Sequence, residues 1–294
     1  MDSKEIQIHF DQYVFAKGLS KHTCVELSFC VKEFLLYLEN NNILNFELIS
    51  EATISNYHHY LINRKKHTSN GKLSGSTPNH HVYALKTLFA WLYNIDAISY
   101  NPMLDLQVPK SYSTKTSALP KEIIKKLFSV TQSDLERVVL AIYYGCGLRR
   151  TEGVNLIVSD IDLQASQVLV RKGKFNKRRI VPINKSILIH FQNYYSSEHQ
   201  NKLNKDVPFL LNSDSKPLSG KHAYGIIKNL RHRAGLNNFH ITLHVLRHSI
   251  ATHLFESGLS IELIQKFLGH QSSDVSYKYI SVSNNRNKRK AFFQ

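Results

Sequence analysis

From Lys4 to about Asn94, apolar residues recur at three-and-four spacing, the period of amphipathic helices that bury one face. Ser20 stands ahead of a long run carrying Val25, Leu27, Phe29, Val31, Phe34, Leu35 and Leu38, which ends in Asn40-Asn41-Asn42. Serine is a preferred helix N-cap, and Ser50 occupies the same place before Ile54, Tyr57, Tyr60, Leu61 and Ile62. A basic, turn-rich loop, Arg64 to Lys72, leads to a run from Val82 to Tyr93 whose one side is Leu85, Leu88, Phe89 and Leu92. These helices, joined by polar loops, predict a small all-α domain. After Asn101-Pro102 the periodicity vanishes. Val108 to Pro120 is rich in Ser, Thr, Lys and Pro, the composition of an interdomain connection. Helical patterning returns over Pro120 to Val130 and Leu135 to Tyr144, the second nearly apolar and so expected to be buried. A switch to period two at Val168 and Val170, then Ile180 and Val181, predicts a β-hairpin. Ser186 to Tyr195 and Gly220 to Ala234 read as helices again, as does the segment from Leu243. Gly258 breaks that helix, Ser260 can cap another over Ile261 to Leu268, and Gly269 can close it.

Charge changes what these elements are for. The 294 residues hold 38 Lys plus Arg against 22 Asp plus Glu, a formal net charge of +16, which favours a polyanionic partner. A nucleic acid and an anionic membrane surface both fit that balance. The longest apolar run, Val138 to Leu148, is too short to span a bilayer. The N-terminus, Met1-Asp-Ser-Lys-Glu, has no apolar signal core, so a cytoplasmic protein is expected, with no membrane partner. Cys24, Cys30 and Cys146 lack metal-ligand pairing and read as small hydrophobes in a reducing compartment. A flexible basic connection between two basic domains would let the protein close around a duplex.

Candidate chemistry lies in four places. Gly145-Cys-Gly-Leu-Arg149-Arg150-Thr-Glu152 puts an arginine just past a buried helix, where the fork can grip phosphate; pairing with Glu152 or Asp160 on the surface is the plainer alternative. The hairpin tip carries Arg171, Lys172, Lys174, Lys177, Arg178 and Arg179 with no carboxylate among them, which points to phosphate contact. His244-Val-Leu-Arg247-His248 sets His244 and Arg247 on one helical face. Leu268-Gly269-His270 and Tyr279 follow. Among 16 His and 15 Tyr no single one is informative; their order and spacing are.

In these motifs the chain resembles the tyrosine recombinase, or phage integrase, family, most closely its Xer-like members. The resemblance implies a two-domain fold: an N-terminal all-α, SAM-like core-binding bundle over residues 1–107, a linker over 108–120, and a C-terminal catalytic domain over 121–294. That last domain would be mostly helical with a small β-sheet, the α+β DNA breaking-rejoining enzyme fold. It implies that Arg149 and Arg247 bind the scissile phosphate, that Lys174 is the general acid, and that His244 and His270 complete the pocket. Tyr279 would be the nucleophile, with Tyr277 as an alternative two residues earlier, and Glu152 would buttress Arg149. Arg171, Lys172, Lys177, Arg178 and Arg179 are expected on DNA. The implied partners are double-stranded DNA and further copies of the chain, in a tetrameric synaptic complex, with a second recombinase or accessory protein as an option. No cofactor or metal is implied. Thr151 and Gly153 depart from the family's usual Ser and larger apolar residue, which bears on the packing behind Arg149. A type IB topoisomerase and a catalytically silent DNA-binding regulator are the rival expectations.

Overall fold

The computed structural model describes residues 1–66, 69–72, 77–104, 106, 117–171, 178–200 and 204–269. The chain divides into two compact units, Met1–Lys115 and Thr116–Gln294.

In the first unit, α1 (Ser3–Ala16), α2 (Lys21–Asn40) and α3 (Glu51–Asn63) start at side-chain caps supplied by Asp2, Ser20 and Ser50. Each cap gives a partner to a backbone N–H left free in the first helical turn. A two-stranded antiparallel ribbon follows, β1 (Lys65–Lys66) and β2 (Ser69–Lys72), with Lys65 opposite Lys72. The polar sequence here carries no alternation and reads only as a loop. Helix α4 (Thr77–Asn94) completes the unit. Phe10, Val31, Phe34, Tyr57, Leu88 and Phe89 are buried at its centre, each apolar side chain contributing on the order of 2 kcal/mol by leaving water. An ion pair goes in with them. The Glu33 carboxylate, nearly buried, accepts from Arg64 Nη2 at 2.8 Å, with Arg64 Nε 2.6 Å from its other oxygen as an ion-pair contact, so the pair fixes the chain where it leaves α3 for β1.

The second unit begins earlier than the sequence suggests. Ala118 and Leu119, expected at the end of the linker, are buried in it; the expected linker residues 108–116 lie outside the described residues. Helix α5 (Lys121–Ser129) is followed by α6 (Asp134–Leu140), which widens into a π-helical turn over Ala141–Gly145. This stretch is buried as expected, but it is not one regular helix: the Cys146 N–H reaches back to the Ala141 carbonyl at 2.9 Å. The added residue sends neighbouring tyrosines to different partners. Tyr143 donates to the Arg150 carbonyl at 3.1 Å, and Tyr144 meets His253 Nδ1 at 2.9 Å.

Beyond the short α7 (Arg150–Val154) lies an antiparallel sheet ordered β3 (Ile161–Asp162), β4 (Gln167–Val170), β5 (Arg179–Pro182). Val168 faces Ile161 on one side and Val181 on the other, and Val170 faces Arg179. Helices α8 (Lys185–Glu198), α9 (Gly220–Arg233), α10 (Leu243–Glu256) and α11 (Ile261–Leu268) enclose the core. Ser260 caps α11, and Gly269 ends it at φ 67°, ψ 49°, a left-handed conformation that glycine adopts without a Cβ penalty.

Candidate active site

Glu152 is the centre of the site. It sits in the first turn of α7, where its Oε2 accepts the Arg149 backbone N–H at 2.8 Å and its Oε1 accepts Arg149 Nη1 at 2.6 Å. A carboxylate at that position suits both the free N–H groups and the helix dipole. From β5, Arg179 adds an end-on fork, Nη1 to Oε1 at 3.0 Å and Nη2 to Oε2 at 2.8 Å. Arg247, reaching over from α10, brings Nη1 to 3.7 Å from Oε2. With 2 % of its side chain exposed, Glu152 keeps its charge because of these donors. Burial alone would raise its pKa; the hydrogen bond and charge of Arg179, then the bonds from Arg149, more than reverse this and bring it down to about 2.

The same three arginines hold the end of α11. Arg179 Nε donates to the Phe267 carbonyl at 3.0 Å, Arg247 Nη2 to that of Leu268 at 2.7 Å, and Arg149 Nη2 to that of Gly269 at 2.8 Å. Carbonyls at a helix C-terminus lack partners within the helix and carry the negative end of its dipole, so guanidinium forks are well placed there. Arg247 Nη1 also donates to the Gly147 carbonyl at 2.5 Å, tying α10 to the Gly-x-Gly turn that precedes Arg149.

Of these side chains Arg149 remains the most open, at 26 % exposure against 9 % for Arg179 and 5 % for Arg247. It borders a cleft of about 310 Å³ with Leu148, Arg150, Thr151, Leu243, His244 and Arg247. His244 stands on the open side of that cleft, and partial desolvation, with the charges of Arg247 and Arg149, lowers its pKa below the usual histidine value. A neutral imidazole beside two fixed cations can accept a proton or a hydrogen bond at neutral pH. The cleft is thus built for an anion with a proton acceptor beside it.

Gly153 explains how the space behind Arg149 is filled without the larger residue usual in the family. A Cβ there would come within 2.8 Å of the Tyr143 ring and of Ile142, so the buried tyrosine occupies that volume.

The structure brings Arg149, Glu152, His244 and Arg247 together. It corrects the hairpin. Arg179 does not extend from the basic tip but turns into the site, because β5 alternates: Val181 is buried and Ile180 is 57 % exposed, which puts Arg179 on the inner face. Counting back by two from Val181 would have found it. Arg171 is also not uncompensated, since its Nε pairs with Asp160 and its Nη2 donates to Ser159 Oγ at 2.9 Å. Arg178 is exposed. Lys172, Lys174, Lys177, His270, Tyr277 and Tyr279 lie outside the described residues.

Residues 118–286 match the phage integrase family. The chain belongs to that family. Among curated phage integrase relatives, tyrosine recombinase XerA of Pyrococcus horikoshii is 34% identical over 183 residues, 62% of this chain and 60% of that protein. The match thus spans less than two thirds of that relative's length. Tyrosine recombinase XerD of Staphylococcus haemolyticus is 27% identical over 275 residues, covering 91% of this chain and 90% of that one. Among solved structures, a lambda integrase fragment crystallised as a dimer bound to a core site superposes with a TM-score of 0.76 at 16% identity, covering 95% of each chain. At that identity the likeness is one of fold, and the fold is the two-domain α+β arrangement of the integrases.

Proposed function

We propose that this member of the phage integrase family is a site-specific DNA recombinase that cuts and rejoins strands through a 3′-phosphotyrosyl intermediate on Tyr279. The observation that carries this reading is the convergence of Arg149, Arg247 and His244 on one cleft backed by the buried Glu152. Attack on a phosphodiester gathers negative charge on the nonbridging oxygens, and fixed guanidinium forks stabilise that charge more in the transition state than in the ground state. Arg149 and Arg247 are assigned to those oxygens. The Tyr279 phenol loses its proton as its oxygen bonds to phosphorus, with His244 or His270 as acceptor or hydrogen-bond partner. As the bond from phosphorus to O5′ breaks, Lys174 supplies the proton that the departing 5′-hydroxyl needs. The phosphotyrosine keeps the ester linkage, so a 5′-hydroxyl from another strand reverses the step without an energy source.

Lys172, Lys177 and Arg178 are assigned to the duplex backbone alongside, and Arg171 with them through its exposed face. The XerA, XerC and XerD relatives are named tyrosine recombinases. Solved relatives of the same fold include a lambda integrase tetramer bound to a Holliday junction, which supports assembly of several copies on DNA. We assign the chain to double-stranded DNA in the cytoplasm, as a tetrameric synapse that admits a second recombinase or accessory protein; among the described residues no helix is long and apolar enough to cross a membrane.

The test is a suicide substrate nicked beside the chain's own site, incubated with the wild type and with Tyr279→Phe. A covalent protein–DNA adduct from the wild type alone is expected. No adduct from the wild type would favour a silent DNA-binding regulator. An adduct with relaxation of supercoils but no exchange between two sites would favour a type IB topoisomerase.

A further inference from the structure

We propose that Arg179 is a positioning residue for strand cleavage, setting both phosphate-binding arginines and the end of α11 from behind, a role that rests on the recombinase reading above. All three of its guanidinium nitrogens donate to protein acceptors: Nη1 and Nη2 to Glu152, Nε to the Phe267 carbonyl. It is almost buried, and its stem lies directly beneath the turn at Gly269, where any Cβ would stand 3.0 Å from Arg179 Cδ. Arg179 therefore touches Glu152, which Arg149 bonds and Arg247 approaches, and the last turn of the helix leading to His270.

The acceptor capacity of Glu152 shows why this matters. Each carboxylate oxygen offers about two lone-pair sites, and each receives one donor from Arg149 and one from Arg179. The carboxylate is saturated, so Arg247, whose Nη1 is 3.7 Å away, stays on the carbonyls of Gly147 and Leu268. Without Arg179 both oxygens open a site, and a shift of under about 1 Å would bring Arg247 into ordinary hydrogen-bond range. The fork would then be drawn toward Glu152, and the Phe267 carbonyl would lose its partner. Displacement of a positioned group by about 1 Å costs on the order of a hundredfold in rate.

The test measures single-turnover adduct formation on the nicked substrate at saturating DNA, with the DNA dissociation constant and the thermal melt measured in parallel, for wild type, Arg179→Met and Arg179→Lys. The rate should fall about a hundredfold in Arg179→Met while DNA affinity stays within a few-fold. Arg179→Lys should recover little, because one ammonium cannot span two carboxylate oxygens and a carbonyl. In Arg179→Met the fall in rate on the acid side should set in at higher pH than in the wild type, since Glu152 would protonate more readily without its main donor. Adding Glu152→Gln to Arg179→Met should cost less than the sum of the two single losses, because both changes remove the same Arg179–Glu152 interaction.

An unchanged rate in both variants overturns the proposal. So does a loss confined to DNA affinity, which would make Arg179 a backbone contact. If Arg179→Met fails to fold, Arg179→Lys carries the same comparison. Failure of the recombinase reading is separate and visible in the wild type alone, as the absence of any adduct.

Discussion

His244 shows how a residue type common in this chain acquires a specific state. Its folded pKa lies below the ordinary histidine value of 6.5, through desolvation and two nearby guanidiniums. The neutral form therefore persists to lower pH than in a free histidine, and protonation favours unfolding as pH falls through the ordinary value. We expect its ring signals, followed by NMR without DNA, to titrate with a midpoint below 6.5, and Arg149→Gln to raise that midpoint. A midpoint at or above 6.5 would remove the case for a neutral acceptor. The cleft residues Arg149, His244 and Arg247, and Glu152 behind them, were legible because each stands in a short motif whose spacing survives without coordinates. Arg179 was hidden by its surroundings. It closes a run of cations that reads as one solvated or DNA-facing tip, and only the strand's alternation separates an inward arginine from its outward neighbours.

At the scale of elements, α10 does two jobs on opposite sides of its length. Its first turns carry His244 and Arg247, while Ser249 and His253 hold the segment that enters α5. The Leu119 N–H donates to Ser249 Oγ at 2.9 Å, and the Leu119 carbonyl accepts from His253 Nε2 at 2.9 Å. The Nδ1 of His253 meets the Tyr144 hydroxyl on the π-helical turn at 2.9 Å. Ser249→Ala would orphan a buried backbone N–H at a cost of roughly 1–3 kcal/mol. Thermal or urea unfolding of the variant should show this loss, and an unchanged midpoint would mean the N–H finds another partner. Most helices could be read from period and caps: Ser20, Ser50 and Ser260 all cap as their positions suggest. The π-helical turn could not, because an apolar stretch buried on all sides carries no period to interrupt. Nor could β3, or the ribbon of β1 and β2, which are too short or too polar to alternate.

For the whole molecule, net charge governs the encounter with DNA rather than the shape of the fold. A chain at +16 that meets several phosphates releases as many counterions, so its affinity for a duplex of unrelated sequence should fall about a thousandfold between roughly 50 and 200 mM salt. Fluorescence anisotropy would measure the slope, and a shallow one would point to few phosphate contacts. Arg149, Glu152, Arg179, His244 and Arg247 all belong to the second unit, so the described chemistry is assembled within one compact body. Two units were legible because helical patterning stops near Asn101 and resumes near Pro120. Where the second begins was not, because Leu119 is held by bonds to α10, far away in sequence.

The three guanidiniums at the end of α11 give the molecule a common datum. The chain that continues toward Tyr279 departs from Gly269, whose carbonyl is pinned by the same Arg149 that faces the cleft. If Arg149 holds the phosphate as proposed, the anchor of the substrate and the point where the chain leaves for Tyr279 are fixed by one guanidinium. Such an arrangement tolerates drift of the surrounding scaffold, because error in the origin moves both together, but it leaves little freedom for Phe267, Leu268 or Gly269 to be lengthened or shortened by even one residue.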